Sequence, residues 1–538
     1  MYRMIQQRTH NRPCHLSFCY KGSAAFPVKH TFRVSATRLS QPAESPIIRF
    51  GDLFVAGWAA PAAVTIAGLT LGFFAWYAII VPSRHGVVGD AQLIAAVWGG
   101  TVATIALWSG YARYFARRAG ITLVRSLQYD AITWLPFLLL WLTFVLAPEL
   151  THGARLFLLA LTLACVAKVI IAARFNQTVR EVLLDFAATR LAIVVIAELA
   201  AVIIGQRAGV HVQESSHALL AVWGRWDAVH YLDIATQGYQ GTNMAFFPLY
   251  PLLIRIVGAL AGSHLIAGLL ISSACFFFGL LYLYKLLEHE YDRAVARRAI
   301  FYVSIFPTAV YFTAVYTESL FFMLTVASFY YMRERRWWLA GAIGFLAALT
   351  RVEGVLLMVP FVMEWWAQER NEGKRAVADL AAGLLIPLGL AVYMAYLWVL
   401  RADPLYFSHV QIHWNRHLAP PWVSLQNAFG KLLHTTAPQL VANQLLEIAF
   451  TVFMIAVLLG GWRSLRPSYI AYMALSILVP MSTSNLMSMP RFALVLFPMF
   501  AILARWGERP WVNNLILAFS LPLLGLFTVL FADWYWVA

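Results

Sequence analysis

The chain has 538 residues, 61% hydrophobic and only 12% charged, with a mean hydropathy of +0.69, which excludes an ordinary soluble domain and defines a polytopic membrane protein. Forty Lys and Arg against 25 Asp and Glu leave a net charge of +15. The basic residues gather at the ends of apolar runs, however, so the excess reads as membrane topology and not as a nucleic-acid surface. Cys14, Cys19, Cys165 and Cys275 form no disulfide framework and lack the further Cys and His partners of a zinc site.

Residues 1–50 are polar, basic and almost free of acids, Glu44 being the exception, and they have no apolar stretch like that of a secretory signal. They are expected to form a disordered cytoplasmic tail. Apolar runs at 53–81, 91–112, 131–147 and 155–173 are each long enough to cross a bilayer and define an N-terminal four-helix extension over 51–185. The connection at 112–130 carries Arg113, Arg117, Arg118 and Arg125, whereas 82–90 and 148–154 carry only Arg84 between them. With the N-terminus in the cytoplasm, the fifth run at 188–205 therefore exits the membrane and begins a module over 186–538. Its first extracytoplasmic loop covers about 206–262 and ends in a short apolar segment, 249–262, that starts behind Pro248 and contains Pro251. That segment suits an interfacial or re-entrant helix better than a span.

A span at 264–287 leads back to the cytoplasm, and compact runs follow at 299–314, 317–332, 337–350 and 354–367. Their parity leaves Thr317-Glu318-Ser319 and Thr350-Arg351-Val352-Glu353-Gly354 at outer turns. A span at 379–400 opens a second outer loop, 401–443, holding His413-Trp414-Asn415-Arg416-His417. Runs at 444–461, 468–484, 491–505 and 511–532 complete an all-α protein of about fourteen or fifteen transmembrane helices, with Arg491 at an outer turn.

The first outer loop is the most chemically loaded stretch. Two carboxylates, a histidine and an arginine occur within nine residues, Arg225-Trp226-Asp227-Ala228-Val229-His230-Tyr231-Leu232-Asp233. Such groups are costly beside lipid unless they line a wet cavity or lie at the membrane surface. Topology brings Asp227, His230, Asp233, Glu318, Arg351, Glu353, His413, His417 and Arg491 to one face from separate connections. No ATP or nucleotide sugar is found on that face, so catalysis there calls for a donor activated on a lipid. Sugar transfer from a polyprenyl phosphate needs one carboxylate to take the acceptor proton and cations to stabilise the departing phosphate. Asp227 suits the base, and Arg351 and Arg491 suit a bidentate grip on phosphate.

The string Arg225 to Ala235, then Gly238-Tyr239 and Phe246-Phe247-Pro248-Leu249-Tyr250-Pro251, resembles the first luminal loop of the phosphatidylinositol-glycan class V (PIG-V) family. Later blocks resemble it in order: Phe306-Pro307, Val315 to Phe321, Leu346 to Gly354, Arg491-Phe492 and Phe497-Pro498. The resemblance covers roughly 188–510. It implies a type C (GT-C) glycosyltransferase fold, a dolichyl- or polyprenyl-phosphate-mannose donor, no metal or other cofactor, and a catalytic acid falling on Asp227. Arg225, Trp226, His230, Asp233, Glu318, Arg351, Glu353, His413 and Arg491 become candidate substrate contacts. Thr317 and Val352-Glu353 stand where eukaryotic members would carry Ser and a Ser-Asn pair. The acceptor therefore stays open between a GPI intermediate and another glycolipid, glycan or protein, and the membrane between a bacterial plasma membrane and the endoplasmic reticulum.

Each residue also has a plainer reading. Asp227 would serve as a helix cap or as a partner of Arg225, Glu318 and Arg351 as a structural pair, and Arg491 as an interfacial anchor. His413 and His417 have the i, i+4 spacing of metal ligands but no HExxH pattern. The alternative function class is a transporter or lipid flippase, which would place polar groups at mid-membrane and relay between faces.

Overall fold

The computed structural model describes residues 177–204, 218–372 and 377–537, with short stretches between 106 and 124. The chain divides into two units, Met1–Ile47 and Ile48–Ala538, and every described residue belongs to the second. The basic tail and, apart from a few positions, the four leading apolar runs lie outside the described residues. Among those residues the regular structure is helical, and the only extended pairing is an isolated antiparallel bridge between Leu418 and Thr483.

Fifteen helices carry the argument and are numbered here in chain order: α1 Gln177–Ile203, α2 Asp227–Gln237, α3 Leu249–Ala261, α4 His264–Glu290, α5 Arg293–Ser304, α6 Glu318–Arg333, α7 Trp337–Ala348, α8 Met358–Glu372, α9 Leu385–Arg401, α10 Pro421–His434, α11 Pro438–Gly461, α12 Pro467–Met481, α13 Met489–Val495, α14 Phe497–Trp506 and α15 Pro510–Ala532. Among the described residues four helices are long and apolar enough to cross a membrane: α4, the stretch Ala378–Arg401 that ends in α9, α11 and α15. The pair α13 and α14 makes a fifth when taken as one broken span, bent by 74°. These are fewer than the succession of spans predicted from residue 188 onward. Helices α5, α6, α7 and α8 have 12, 16, 12 and 15 residues. At ~1.5 Å per residue they fall short of a ~30 Å hydrocarbon core. The short segment after Pro248 is the 13-residue α3, as its length suggested.

Helix α6 is the axis of the packing. From Glu318 to Met332 only Met323 escapes full burial, because α4, α7, α8 and the α13 segment surround it. A helix with no polar face has to be enclosed in this way or face lipid. Its neighbour α7 meets α9 and the turn just before it through small residues. A Cβ on Gly341 would lie 2.1 Å from the Ala382 carbonyl oxygen, and one on Gly389 would lie 2.3 Å from that of Phe345. Close backbone approach of this kind is how apolar helices associate without a hydrophobic driving force.

Two breaks create the space for a site. Beyond α7 the chain turns so tightly that a Cβ on Gly354 would sit 2.4 Å from the backbone of Ala347 and Ala348, which draws Arg351 and Glu353 back over the end of the helix. Between α13 and α14, Pro498 removes the N–H that would continue the helix, and the axis bends. Arg491, one residue after Pro490 in the first turn of α13, is thereby directed into the bundle, where it is buried.

Candidate active site

A cavity of about 370 Å³ opens at the end of the bundle where α6 begins. Its size falls in the range of small-ligand sites, roughly 300–1,000 Å³. Asp227 and Tyr231 of α2, Thr317, the Thr350–Glu353 turn, Trp414, Arg416 and His417 of the second loop, Arg491 of α13 and Trp536 all contribute to its lining.

The floor is an ion network. Arg491 donates from Nη1 to Asp227 Oδ2 at 2.6 Å and from Nε to Glu318 Oε1 at 2.7 Å. Arg351 donates from Nη1 to the same Glu318 oxygen at 3.2 Å, and its Nε lies 3.5 Å from Glu353 Oε2. Glu318 is wholly buried at the first residue of α6, where the two guanidinium groups are its ion-pair partners. The guanidinium of Arg491 also lies against two adjacent aromatic rings, 4.9 Å from that of Tyr316 and 5.1 Å from that of Tyr311. Burial alone would lower the ionisation range of Arg351, but the Glu353 and Glu318 carboxylates override it and hold the guanidinium above its ordinary value.

Asp227 stands at the first residue of α2, where the positive end of the helix dipole favours a carboxylate. Its side chain is 22% exposed, toward the cavity. Arg491 holds Oδ2, while Oδ1 makes no hydrogen bond among the described residues. The backbone N–H of Asp227 donates to the Tyr316 hydroxyl at 3.3 Å, and that hydroxyl donates to the Arg225 carbonyl at 3.1 Å. The turn before it is strained. Trp226 adopts φ 58° and ψ −124°, a conformation costing about 1–3 kcal/mol in a non-glycine residue. Trp534 and Trp536, which follow α15, meet the Trp226 ring at 5.6 and 5.3 Å and help to hold it there.

The sequence candidates separate into three groups. Asp227, Arg351, Glu353 and Arg491 line the cavity, and Glu318 lies directly behind them. Arg225 and Trp226 do not line it: Arg225 is buried with its guanidinium 5.1 Å from the Trp534 ring, so both support the Asp227 turn. His230, Asp233 and His413 are not brought to the cavity either. His230 stands behind lining residues, with Nδ1 2.5 Å from Asn243 Oδ1 and its ring stacked on Phe246 at 4.6 Å and 6.2 Å from that of Trp414. His413 is exposed, and its i, i+4 neighbour His417 is the histidine at the cavity wall. The alternative partner for Asp227, Arg225, is replaced by Arg491, 264 residues away. The pairing of Glu318 with Arg351 is observed.

Tyr231 and Arg416 are lining residues that were not singled out from the sequence. Burial, reinforced by the Glu318 and Asp227 carboxylates, raises the Tyr231 phenol above its ordinary value, so it stays protonated and is no rival base. Arg416 sits in a junction between the two late outer segments. Ser484 Oγ donates to the Asn415 carbonyl at 2.8 Å, Asn485 Nδ2 donates to the Trp414 and Asn415 carbonyls at 3.1 and 3.0 Å, and Leu418 bridges to Thr483. The only sequence signal for it was its place in a loop rich in His and Trp. Among the described residues no group of three or more His, Cys, Asp or Glu side chains is arranged to hold a metal ion.

The fold and cavity define an all-α integral membrane protein with a buried charged floor at one end of its helices. Residues 195–364 match the family model described as mannosyltransferase (PIG-V). The GPI alpha-1,6-mannosyltransferase 2 of Rattus norvegicus is 30% identical over 171 residues, 28% of this chain and 33% of the relative. Those of Mus musculus and Cricetulus griseus are each 31% identical, over 157 and 169 residues, covering 26% and 28% of this chain and 30% and 33% of the relatives. The chain thus spans about a third of the length of the curated relatives it matches, and no solved structure matches it. The likeness to the PIG-V family is confined to that region, about a third of the chain. That region contains Asp227, Glu318, Arg351 and Glu353, and it excludes Arg416 and Arg491.

Proposed function

We propose that this protein is a membrane mannosyltransferase of GT-C type that takes mannose from a polyprenyl- or dolichyl-phosphate donor and transfers it to a hydroxyl of a glycolipid or other cell-surface acceptor. The reaction runs on the extracytoplasmic or luminal face. The observation that carries the reading is the carboxylate of Asp227, exposed to the cavity with one oxygen fixed by Arg491 and the other open. The names of the matched relatives supply the sugar.

The open oxygen accepts the proton of the acceptor hydroxyl as that oxygen attacks C1 of the donor sugar. The bond between C1 and the phosphate oxygen breaks, and its electron pair leaves on the lipid phosphate. The leaving group is already a weak base, so no second carboxylate is needed to protonate it. Glu318 and Arg351 do not touch the reacting atoms in this scheme. They fix Arg491, and through it the direction in which Asp227 points.

The test is incubation of purified protein with radiolabelled polyprenyl phosphate mannose and a native lipid extract, followed by identification of the labelled product. Label is expected in a glycolipid or glycan fraction with the wild type and not with Asp227→Asn. Movement of the labelled donor across vesicles with no new glycosidic bond would replace this reading by the flippase alternative.

A further inference from the structure

The three arginines that line the cavity are not equivalent. Arg351 and Arg491 share three carboxylates, Asp227, Glu318 and Glu353, all within 2.6–3.5 Å contacts, so the floor of the site is compensated and even carries an excess of negative charge. An anionic group entering the cavity gains little from them. Arg416 is arranged differently. Its Nε donates to Asn485 Oδ1 at 3.4 Å and its Nη2 to the Met487 carbonyl, both neutral oxygens. Among the described residues no carboxylate lies within ion-pair distance of it, and its Nη1 makes no hydrogen bond. Burial pushes its guanidinium below the ordinary value, against the distant pull of Glu353, while the paired Arg351 is held above. The junction of Trp414–Leu418 with Thr483–Ser488 fixes its backbone, so its cost of ordering is met before any ligand arrives.

We infer that Arg416 is the cation that binds the phosphate of the donor, and that Arg351 and Arg491 orient carboxylates instead. The inference rests on the proposed use of a lipid phosphate donor, and it goes further by naming the anion subsite and placing it outside the region matched to the family. A phosphodiester monoanion meets one uncompensated guanidinium with a free N–H, the geometry that favours a charge-assisted hydrogen bond. When the sugar leaves, the phosphate gains charge, and the same guanidinium stabilises it more strongly.

The test compares binding of a short prenyl phosphate, the matching prenyl alcohol and inorganic phosphate to the full-length protein. The wild type is expected to prefer the prenyl phosphate to the alcohol. Arg416→Gln is expected to weaken prenyl phosphate binding by about ten- to a hundred-fold, the worth of a hydrogen bond to a charged group, and to leave the alcohol unaffected. Exposed Arg255→Gln on α3 serves as the control and changes neither. Arg416→His provides an arm that does not depend on how well the Gln variant folds. Prenyl phosphate affinity in this variant should fall as pH rises through about 6.5, where the imidazole loses its charge. Competition by inorganic phosphate identifies a free-anion site, and its failure identifies a lipid headgroup site; both require Arg416. Wild-type affinity for prenyl phosphate in Arg416→Gln overturns the inference even if mannose is transferred. A phosphate preference lost in Arg416→Gln sustains it even if no mannose is transferred.

Discussion

Helix α6 joins two charged clusters that use the same residue types for opposite ends. Glu318 begins the helix and Arg333 ends it, roughly 22 Å apart along the axis. At the Arg333 end, Glu290 and Glu364 face Arg333 and Arg466, two carboxylates against two guanidinium groups. Every oxygen of Glu290 and Glu364 is engaged: Glu290 by Arg333, by the Tyr469 hydroxyl at 3.3 Å and by Arg466 at 3.7 Å, and Glu364 by Arg466 at 3.1 Å, Arg333 at 3.4 Å, Gln368 at 2.9 Å and Ser468. At the Glu318 end, one oxygen of Asp227 and one of Glu318 have no hydrogen-bond partner among the described residues, and Arg416 has no carboxylate. Closed charge networks fix a structure, and open ones are prepared for a ligand. Between the two ends α6 buries Phe322, Leu324, Val326 and Phe329, so the clusters are not joined by a continuous line of charge along that helix. This separation favours a site at one end over a relay between faces.

The largest effect should come from the open cluster. Asp227→Asn keeps the shape and removes the base, and transfer should fall by about 10²–10⁴-fold. Arg491 keeps Glu318 as a partner in that variant, so the thermal unfolding midpoint should hold; a variant that unfolds early would make Asp227 structural and erase the contrast. Glu364→Ala, in the closed cluster, should do the reverse. It leaves Arg333 and Arg466 to share Glu290 alone and should cost about 3–5 kcal/mol of stability, read from thermal or denaturant unfolding, while the rate per folded molecule is unchanged.

Arg491→Lys sharpens the comparison within the open cluster. Lysine retains the charge but cannot hold Asp227 and Glu318 with one rigid fork. Loss of one charge-assisted contact predicts a rate lower by about ten- to a hundred-fold with little change in donor affinity, and a binding defect without a rate defect would assign Arg491 to the donor phosphate instead. The smallest effect is expected from Trp536→Phe. The ring still reaches Trp226, so transfer should change by no more than about ten-fold, the worth of one aromatic contact.

The sequence by itself determined that the chain is helical and membrane-embedded, because its apolar content leaves no other solution. It also marked where chemistry is concentrated: in so apolar a chain a group such as Asp227, Glu318, Arg351 or Arg491 is too costly to retain without a role, and these four, which parity assigned to outer turns, meet in one ion network. Parity did not see how short α5, α6, α7 and α8 are, since hydropathy reports burial in protein and burial in lipid alike. Nor did it separate Asp227 from His230 and Asp233. Those three lie within one short helix, and which of them faces a cavity depends on what packs against each side of α2. Arg333 and Arg466 read as topological charges, yet Glu290 neutralises Arg333 across 43 positions of chain and Glu364 neutralises Arg466 across 102. Only the tertiary structure decided which charges cancel and which remain open. Compensation depends on distances of a few ångströms between segments far apart in sequence, and for that reason Asp227 met Arg491, and Arg416, one basic residue among many in a loop, was left as the guanidinium at the cavity without a carboxylate.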